Sequence, residues 1–397
     1  MSRGGIQGFQ NDRLIQILAA RRLTQAQLAS MVGVSPPTIS KWRSGSQAPE
    51  RDALERLASV VNVSPEWFTR PVIEKTSAPM FRSNASAHVA ARDMLRARLE
   101  WAQDIAMILA EFVDYPDVNL PGRKFLNPEE ITDEDIESVA CECRDMWNLG
   151  RSVVQDLMLA VEGAGVIVVR EETGIAQIEG LSAWSDELQR PLILLSADKD
   201  NGYRSRFDLA HELGHLVLHR YIERANDRER HKMLEQQAHR FAGAFLLPAE
   251  SFVNEVTIPP TLDDLLLLKR RWGVSAAAII MRLKALDLID DDTALALFKR
   301  RSARWGVKSE PGDGDRKPEQ PRLLKRTVEL LVEENVMPQE AIPQHIGLSP
   351  MDVEMLVGLQ EGYFEGNKNI IQLAKLRALV SDNRDKVEGK VIQFPTK

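Results

Sequence analysis

Cysteine is nearly absent. The 397-residue chain has two, Cys141 and Cys143, which excludes a disulfide framework and fits a reducing compartment. The pair reads Cys-Glu-Cys, a gap tighter than common zinc spacing, and no second pair exists. Two half-buried helix residues are the expectation, not a metal or redox site. Long apolar runs are also missing. No stretch of 18 or more apolar residues occurs, which argues against a transmembrane helix. The opening MSRGGIQGFQNDR has no apolar core, so no secretory signal is read, and a cytoplasmic chain without a membrane partner is expected. What is present is ordinary for a soluble globular protein: 44% hydrophobic and 27% charged residues. A mostly disordered chain and a fibrous one are excluded.

The length suggests two to four domains. Net charge is −7 and the pI near 5.7, which taken whole argues against nucleic acid. The charge is uneven, however. Residues 1–70 carry nine Lys/Arg and five Asp/Glu, a net +4, leaving −11 for the rest. A basic head on an acidic body points to separate tasks.

Residues 9–70 read as short helices and 71–86 as a linker without periodicity. Helical spacing is seen at Ile15, Leu18 and Ala19, at Leu28, Met31 and Val32, and at Leu54, Leu57 and Val61. Thr24 with Gln27 forms a capping box, Gly33 ends that helix, and Ser35 with Pro36 starts the next. Residues 87–307 form a second unit, helical to about 163. Three short strands follow at 165–171, 178–185 and 190–196, then helices at about 205–221, 231–247 and within 261–286. Ser205 with Asp208 is read as a helix cap. Residues 308–321 are rich in charge, Pro and Gly and read as a linker. Residues 322–397 form a helical C-terminal segment, in which 345–358 loosely suggests a second helix-turn-helix.

Residues 24–45, TQAQLASMVGVSPPTISKWRSG, place two short helices about Gly33, the second suited to a major groove. The stretch resembles the Cro/C1-type (XRE) helix-turn-helix family over about 60 residues, through TQAQLA, GVS and TISKWRSG. The resemblance implies binding to a double-stranded DNA operator, as a homodimer on two half-sites. Gln25 can reach a phosphate from the start of the first helix. Thr38, Ser40 and Lys41 lie on the recognition helix, and Arg43 and Arg51 add phosphate contacts. Pro36 and Pro37 stand where polar readers are common, so base readout rests on fewer residues. Trp42, Ile39 and Leu28 are expected in packing.

The strongest chemical signal is His211-Glu212-Leu213-Gly214-His215. On a helix, residues four apart share a face, so two imidazoles can converge on one Zn²⁺. Glu212 can face a water there, take its proton as general base and hand it to a leaving amine. A catalytic zinc needs three protein ligands and an open position. Glu235, in the following helix, is the third candidate, and the small Ala238, Ala242 and Gly243 allow that helix to approach closely. His219, one turn further along, either lines the cleft or interacts with the helix C-terminus. His231 reads as a solvated helix start, and His88 and His345 have no partners in sequence. Arg206 contacts substrate or forms a salt bridge. Phe207, Phe241 and Phe245 are expected in the core. The 178–185 strand could offer an edge to an extended peptide.

RFDLAHELGHLVLH (206–219) followed by ExxAHxFAxxFLLP (235–248) resembles the ImmA/IrrE family of zinc metallopeptidases, over roughly 150–300. The resemblance implies an α+β zincin-like fold with His211, His215 and Glu235 as zinc ligands and Glu212 as catalytic base. It implies cytoplasmic enzymes that act on helix-turn-helix repressors, releasing genes of mobile elements or stress responses. The family commonly has Asn where this chain has His239. His239 shares the face of Glu235 and is either a donor orienting a ligand or a competing third ligand.

The expected architecture is multidomain: an all-α helix-turn-helix head, an α+β zincin-like domain with a small three-strand sheet, and a helical C-terminal segment. The expected function is a DNA-binding transcriptional regulator with a zinc-dependent endopeptidase that hydrolyses a regulatory protein such as a repressor. The linker at 71–86 is a possible site of self-cleavage. Two rivals are a non-proteolytic zinc-containing DNA-binding regulator and a toxin–antitoxin or immunity component acting by protein binding.

Overall fold

The computed structural model describes residues 5–72, 89–174, 178–223 and 227–365. All but the first two residues of the 71–86 linker, His88, and the C-terminal segment beyond 365 lie outside the described residues.

The head comprises α1 (Asn11–Ala20), α2 (Gln25–Val32), α3 (Pro36–Arg43) and α4 (Arg51–Val61). The sequence punctuation acts as expected. Thr24 Oγ1 accepts from Gln27 N, and Thr24 N donates to Gln27 Oε1. Gly33 takes φ 77° at the end of α2, and Ser35 caps α3 with Pro36 at its first position. The buried stripe of α1 differs from the expected one. Leu14 and Ile17 are buried, whereas Ile15 is exposed; Met31 of α2 is exposed too. The spacing was helical, but it did not fix which phase of the helix met the core.

Then come α5 (Val89–Leu109), α6 (Asp133–Met146) and α7 (Leu157–Gly163), and the strands β1 (Ile167–Glu171), β2 (Gly180–Ser185) and β3 (Arg190–Ser196). The sheet order is β1-β3-β2. β1 pairs with β3 in parallel, with Val168 opposite Ile193, and β2 pairs with β3 antiparallel, with Ala183 opposite Leu192. Alternation along the strands creates two faces. Ile167, Val169, Leu181, Ala183, Leu192 and Leu194 share one apolar core with the head and α5. Val168, Trp184, Ile193 and Leu195 belong to the other core, with α8 (Gly202–Leu218) and α9 (Arg228–Leu246).

The chain continues through α10 (Ala249–Phe252), α11 (Leu262–Trp272), α12 (Ala276–Ala285) and α13 (Asp291–Trp305). Residues 308–321 form a strap packed on these helices. Its Glu310 is buried between Lys269 (3.2 Å) and Arg301 (2.9 Å) and also accepts from Ala276 N. The described C-terminal segment is α14 (Leu323–Glu333), α15 (Ala341–Ile346) and α16 (Pro350–Val357). Gly347 (φ 87°) and the Ser349 cap join α15 to α16 with the same device as Gly33 and Ser35. Val353, Leu356 and Val357 of α16 are buried, so this helix is part of the core.

Buried charge ties the head to this body. Arg98 of α5 contacts Glu171 of β1 at 2.7 Å and Asp352 of α16 at 2.8 Å, while Arg21 of the head donates to Asp352 at 2.8 Å. Arg70 donates to the carbonyls of His345 and Ile346. Four charges in one network satisfy each other where one alone would be costly.

Candidate metal centre and nucleic-acid interface

α8 begins one turn earlier than Ser205. Asn201 is its cap, accepting from Tyr203 N and Arg204 N. The reason is tertiary. Gly202 N donates to Arg316 O, and a Cβ at Gly202 would lie 2.5–2.6 Å from strap carbonyl oxygens. Ser205 is left inside the helix, where its hydroxyl receives a hydrogen bond from Arg170. Arg206 is buried and pairs with Glu319 of the strap, so it serves packing.

The four-residue spacing of His211, His215 and His219 stacks all three on one face of α8. His211 and His215 are 5% and 4% exposed, and their Nε2 atoms lie 3.1 Å apart. α9 brings Glu235 to this pair. One carboxylate oxygen is 3.5 Å from His211 Nε2 and the other 3.4 Å from His215 Nε2. The close approach of the helices depends on Gly214, where a Cβ would sit 3.0 Å from the Phe241 ring and 3.3 Å from Ala238 Cα. Gly243 instead faces Arg282 of α12.

Both Glu235 oxygens and His211 Nδ1 are buried without a hydrogen-bond partner. Burial alone would raise the Glu235 pKa, but His211 and His215 outweigh it and hold the carboxyl well below the ordinary range. Two imidazole nitrogens and a buried carboxylate that faces them match the donor set of a zinc or similar divalent ion. His239 adds a further donor. The ligating atoms of His211, Glu235 and His239 lie within 4.8 Å of one another. The His239 ring sits 4.5 Å from that of His211 and stacks on Phe207 at 5.7 Å. Phe241 and Phe245 are core, and Phe207 is half-buried against this ring.

Glu212 reaches the sheet. Ser182 Oγ donates to its Oε2 at 2.7 Å, and a Cβ at Gly180 would come within 3.1 Å of Oε1. Gly180, Ser182 and Trp184 share the β2 face that meets α8, and Trp184 Nε1 donates to Leu216 O. β2 is an edge strand by pairing, but all six of its residues are buried. It is therefore not presented as an open edge for an extended peptide.

His219 does more than meet the helix C-terminus. It is 2% exposed; its Nδ1 lies 2.9 Å from His215 Nδ1 and its Nε2 3.1 Å from Gln237 Oε1. Burial, with His215 beside it, pushes its pKa well below the usual value. Gln237 Nε2 in turn donates to Pro128 O at 2.7 Å. Of the other histidines, His231 is half-buried in the first turn of α9, and His345 is exposed against Phe112.

Sequence reading missed Gly180, Ser182 and Gln237. Period-2 alternation puts the first two on one strand face, but not against a given helix. Gln237 stands two residues past Glu235 with no motif to mark it. Cys143 is fully buried and its thiol is pushed up by burial, whereas Cys141 is half-buried. Neither joins the histidine cluster.

On the head, Ser40, Lys41 and Arg43 of α3 are exposed, and Gln25 and Thr38 are half-buried. Pro36 and Pro37 are exposed beside them. The Thr38 hydroxyl is engaged with Ser35 Oγ at 2.8 Å. Trp42 is 2% exposed and Ile39 and Leu28 are fully buried, so all three pack the head. Among the described residues no helix is long and apolar enough to cross a membrane.

Residues 14–68 match a helix-turn-helix family, and residues 161–284 match the IrrE N-terminal-like domain of the M78 peptidases. The chain thus carries an XRE-type helix-turn-helix domain and an M78-type domain. No curated protein matches it.

Proposed function

We propose that the chain is a DNA-binding regulator whose M78-type domain is a zinc-dependent endopeptidase acting on a regulatory protein such as a repressor. The divisions read from the sequence, 9–70 for DNA binding, 87–307 for the peptidase and 322–397 behind them, frame this reading. The observation that carries it is the buried Glu235 carboxylate, without a geometric hydrogen bond, facing the Nε2 atoms of His211 and His215. Those three residues would hold the ion. When bound, zinc would supply a Lewis acid that polarises a water and the scissile carbonyl.

The remaining work falls to the chain. Glu212 takes a proton from the attacking water and delivers it to the leaving amine nitrogen as the C–N bond breaks. Ser182 fixes the carboxylate that does this. The three metal donors and the base come from α8 and α9, and Ser182 from β2; these elements share one core, so their geometry is set before substrate arrives. The exposed Lys41 and Arg43 contact DNA phosphates, with Gln25, Thr38 and Ser40 beside them, and two copies would read two half-sites. A place in stress response or in a mobile element would follow from the identity of the cleaved protein.

A second reading is favoured by one observation, the position of His239. If it joins His211, His215 and Glu235, the ion has four protein ligands and no open position, which is a structural site. Metal analysis separates the two. Wild type should hold about one zinc per chain, lost in Glu235→Ala and kept in His239→Ala. A protein-cleavage assay on the zinc-loaded chain should be abolished by Glu212→Gln. Unchanged function of Glu212→Gln in cells would favour the non-proteolytic regulator.

A further inference from the structure

We propose that His219 and Gln237 are positioning residues that fix the tautomer of His215 and so aim a bare nitrogen at the metal position. The inference rests on the metallopeptidase reading above and deepens it.

The argument is a chain of forced donors. The Pro128 carbonyl can only accept, so Gln237 presents its Nε2 to it, at 2.7 Å. The opposite amide orientation would set oxygen against oxygen. Gln237 Oε1 therefore faces His219 Nε2, at 3.1 Å, and an amide oxygen can only accept. His219 must carry its proton on Nε2. His219 is buried and neither of its ring nitrogens faces a carboxylate, so it is taken as a neutral imidazole with one N–H, and its Nδ1 is a lone pair. It lies 2.9 Å from His215 Nδ1, which must then be the donor. His215 Nε2 is left without a proton, and it is the atom that lies 3.1 Å from His211 Nε2 and 3.4 Å from Glu235. A metal ligand needs that lone pair.

The relay spans 18 residues between His219 and Gln237 and more than a hundred back to Pro128. Its members are buried, with His219 2% and Gln237 7% exposed. The contrast with His211 is informative. Its Nδ1 is buried without a hydrogen-bond partner, so no such relay stands behind that ring. One imidazole of the pair has a relay behind its Nδ1 and the other has none. The relay is also neutral throughout, so it orients His215 without adding a second carboxylate charge beside Glu235.

The test uses the full chain, metal-free, with nitrogen-labelled histidine. Ring-nitrogen NMR reads the tautomer directly, and competition with a chelator reads Zn²⁺ affinity. Wild type should show His215 protonated on Nδ1. Gln237→Leu and His219→Phe should shift it towards the Nε2–H form and weaken Zn²⁺ binding by about 10–100-fold. His219→Gln keeps an oxygen able to accept from His215 Nδ1 and should restore most of both. Circular dichroism confirms that each variant is folded. A wild-type His215 protonated on Nε2, or variants whose tautomer and affinity match wild type, would overturn the relay. A wild type that shows the Nδ1–H form but binds no zinc would overturn the metallopeptidase reading instead.

Discussion

Ser182 on β2 donates a hydrogen bond to Glu212 on α8 across 2.7 Å, thirty residues apart in sequence and buried on both sides. The strand face that holds Ser182 thereby sets the direction of the carboxylate. Ser182→Ala removes the donor and leaves His211, His215 and Glu235 untouched. Peptide-bond cleavage should fall about 10-fold or more while zinc content stays at the wild-type level. Equal activity of the two proteins would show that Glu212 needs no such support.

Gly180 sits next to Ser182 on the same face. A methyl there meets Glu212 Oε1 at 3.1 Å and Leu194 O at 3.2 Å. The backbone cannot give easily, so Glu212 must shift. Gly180→Ala should reduce cleavage more than it reduces the melting temperature, measured side by side.

Asp352 is 2% exposed and partners both Arg21 and Arg98. Burial alone would raise its pKa, but the two guanidinium groups hold it below the ordinary carboxylate value. Asp352→Ala removes the acceptor that two cations share, leaving Arg98 with Glu171 alone, and should cost about 3–5 kcal/mol in denaturant unfolding. A loss below about 1 kcal/mol, the level of an exposed pair, would mean that the network is solvated.

Glu162 is buried beneath the start of α14, where it accepts from Arg322 N and Leu323 N. Burial pushes its pKa up to about 7 from 4.5. The folded state thus binds more protons than the unfolded state between these values. Its contribution to stability is complete below pH 4.5 and is lost as pH rises through 7. Glu162→Gln removes the buried charge and keeps an acceptor. Relative to wild type it should be more stable at pH 8 by about 1–3 kcal/mol and nearly equal at pH 4.5. Parallel unfolding curves at the two pH values decide it.

Lys41 and Arg43 are exposed at the end of α3. If each neutralises one phosphate, Lys41→Ala and Arg43→Ala should each reduce the salt slope of duplex binding by about 1. Titrations at several salt concentrations read this without knowledge of the operator. An unchanged slope would place the DNA contact elsewhere on the head.

Local chemistry made much of this protein legible in its sequence. Thr24 with Gln27, Gly33, and Ser35 with Pro36 stop and start helices through contacts within a few residues, and they do so here. The change from helical to alternating periodicity marked all three strands. Four-residue spacing alone put His211, His215 and His219 on one face. Tertiary packing decided the rest. Ser205 lost its capping role because the strap at Arg316 and Lys317 starts α8 at Gly202. Leu14, not Ile15, met the core because spacing gives a period without a phase. Ser182 reached Glu212, and Gln237 reached His219 and Pro128, through hydrogen bonds between elements that share no motif. A hydrogen bond needs two groups within about 3 Å, and only the folded chain says which distant residues meet that distance.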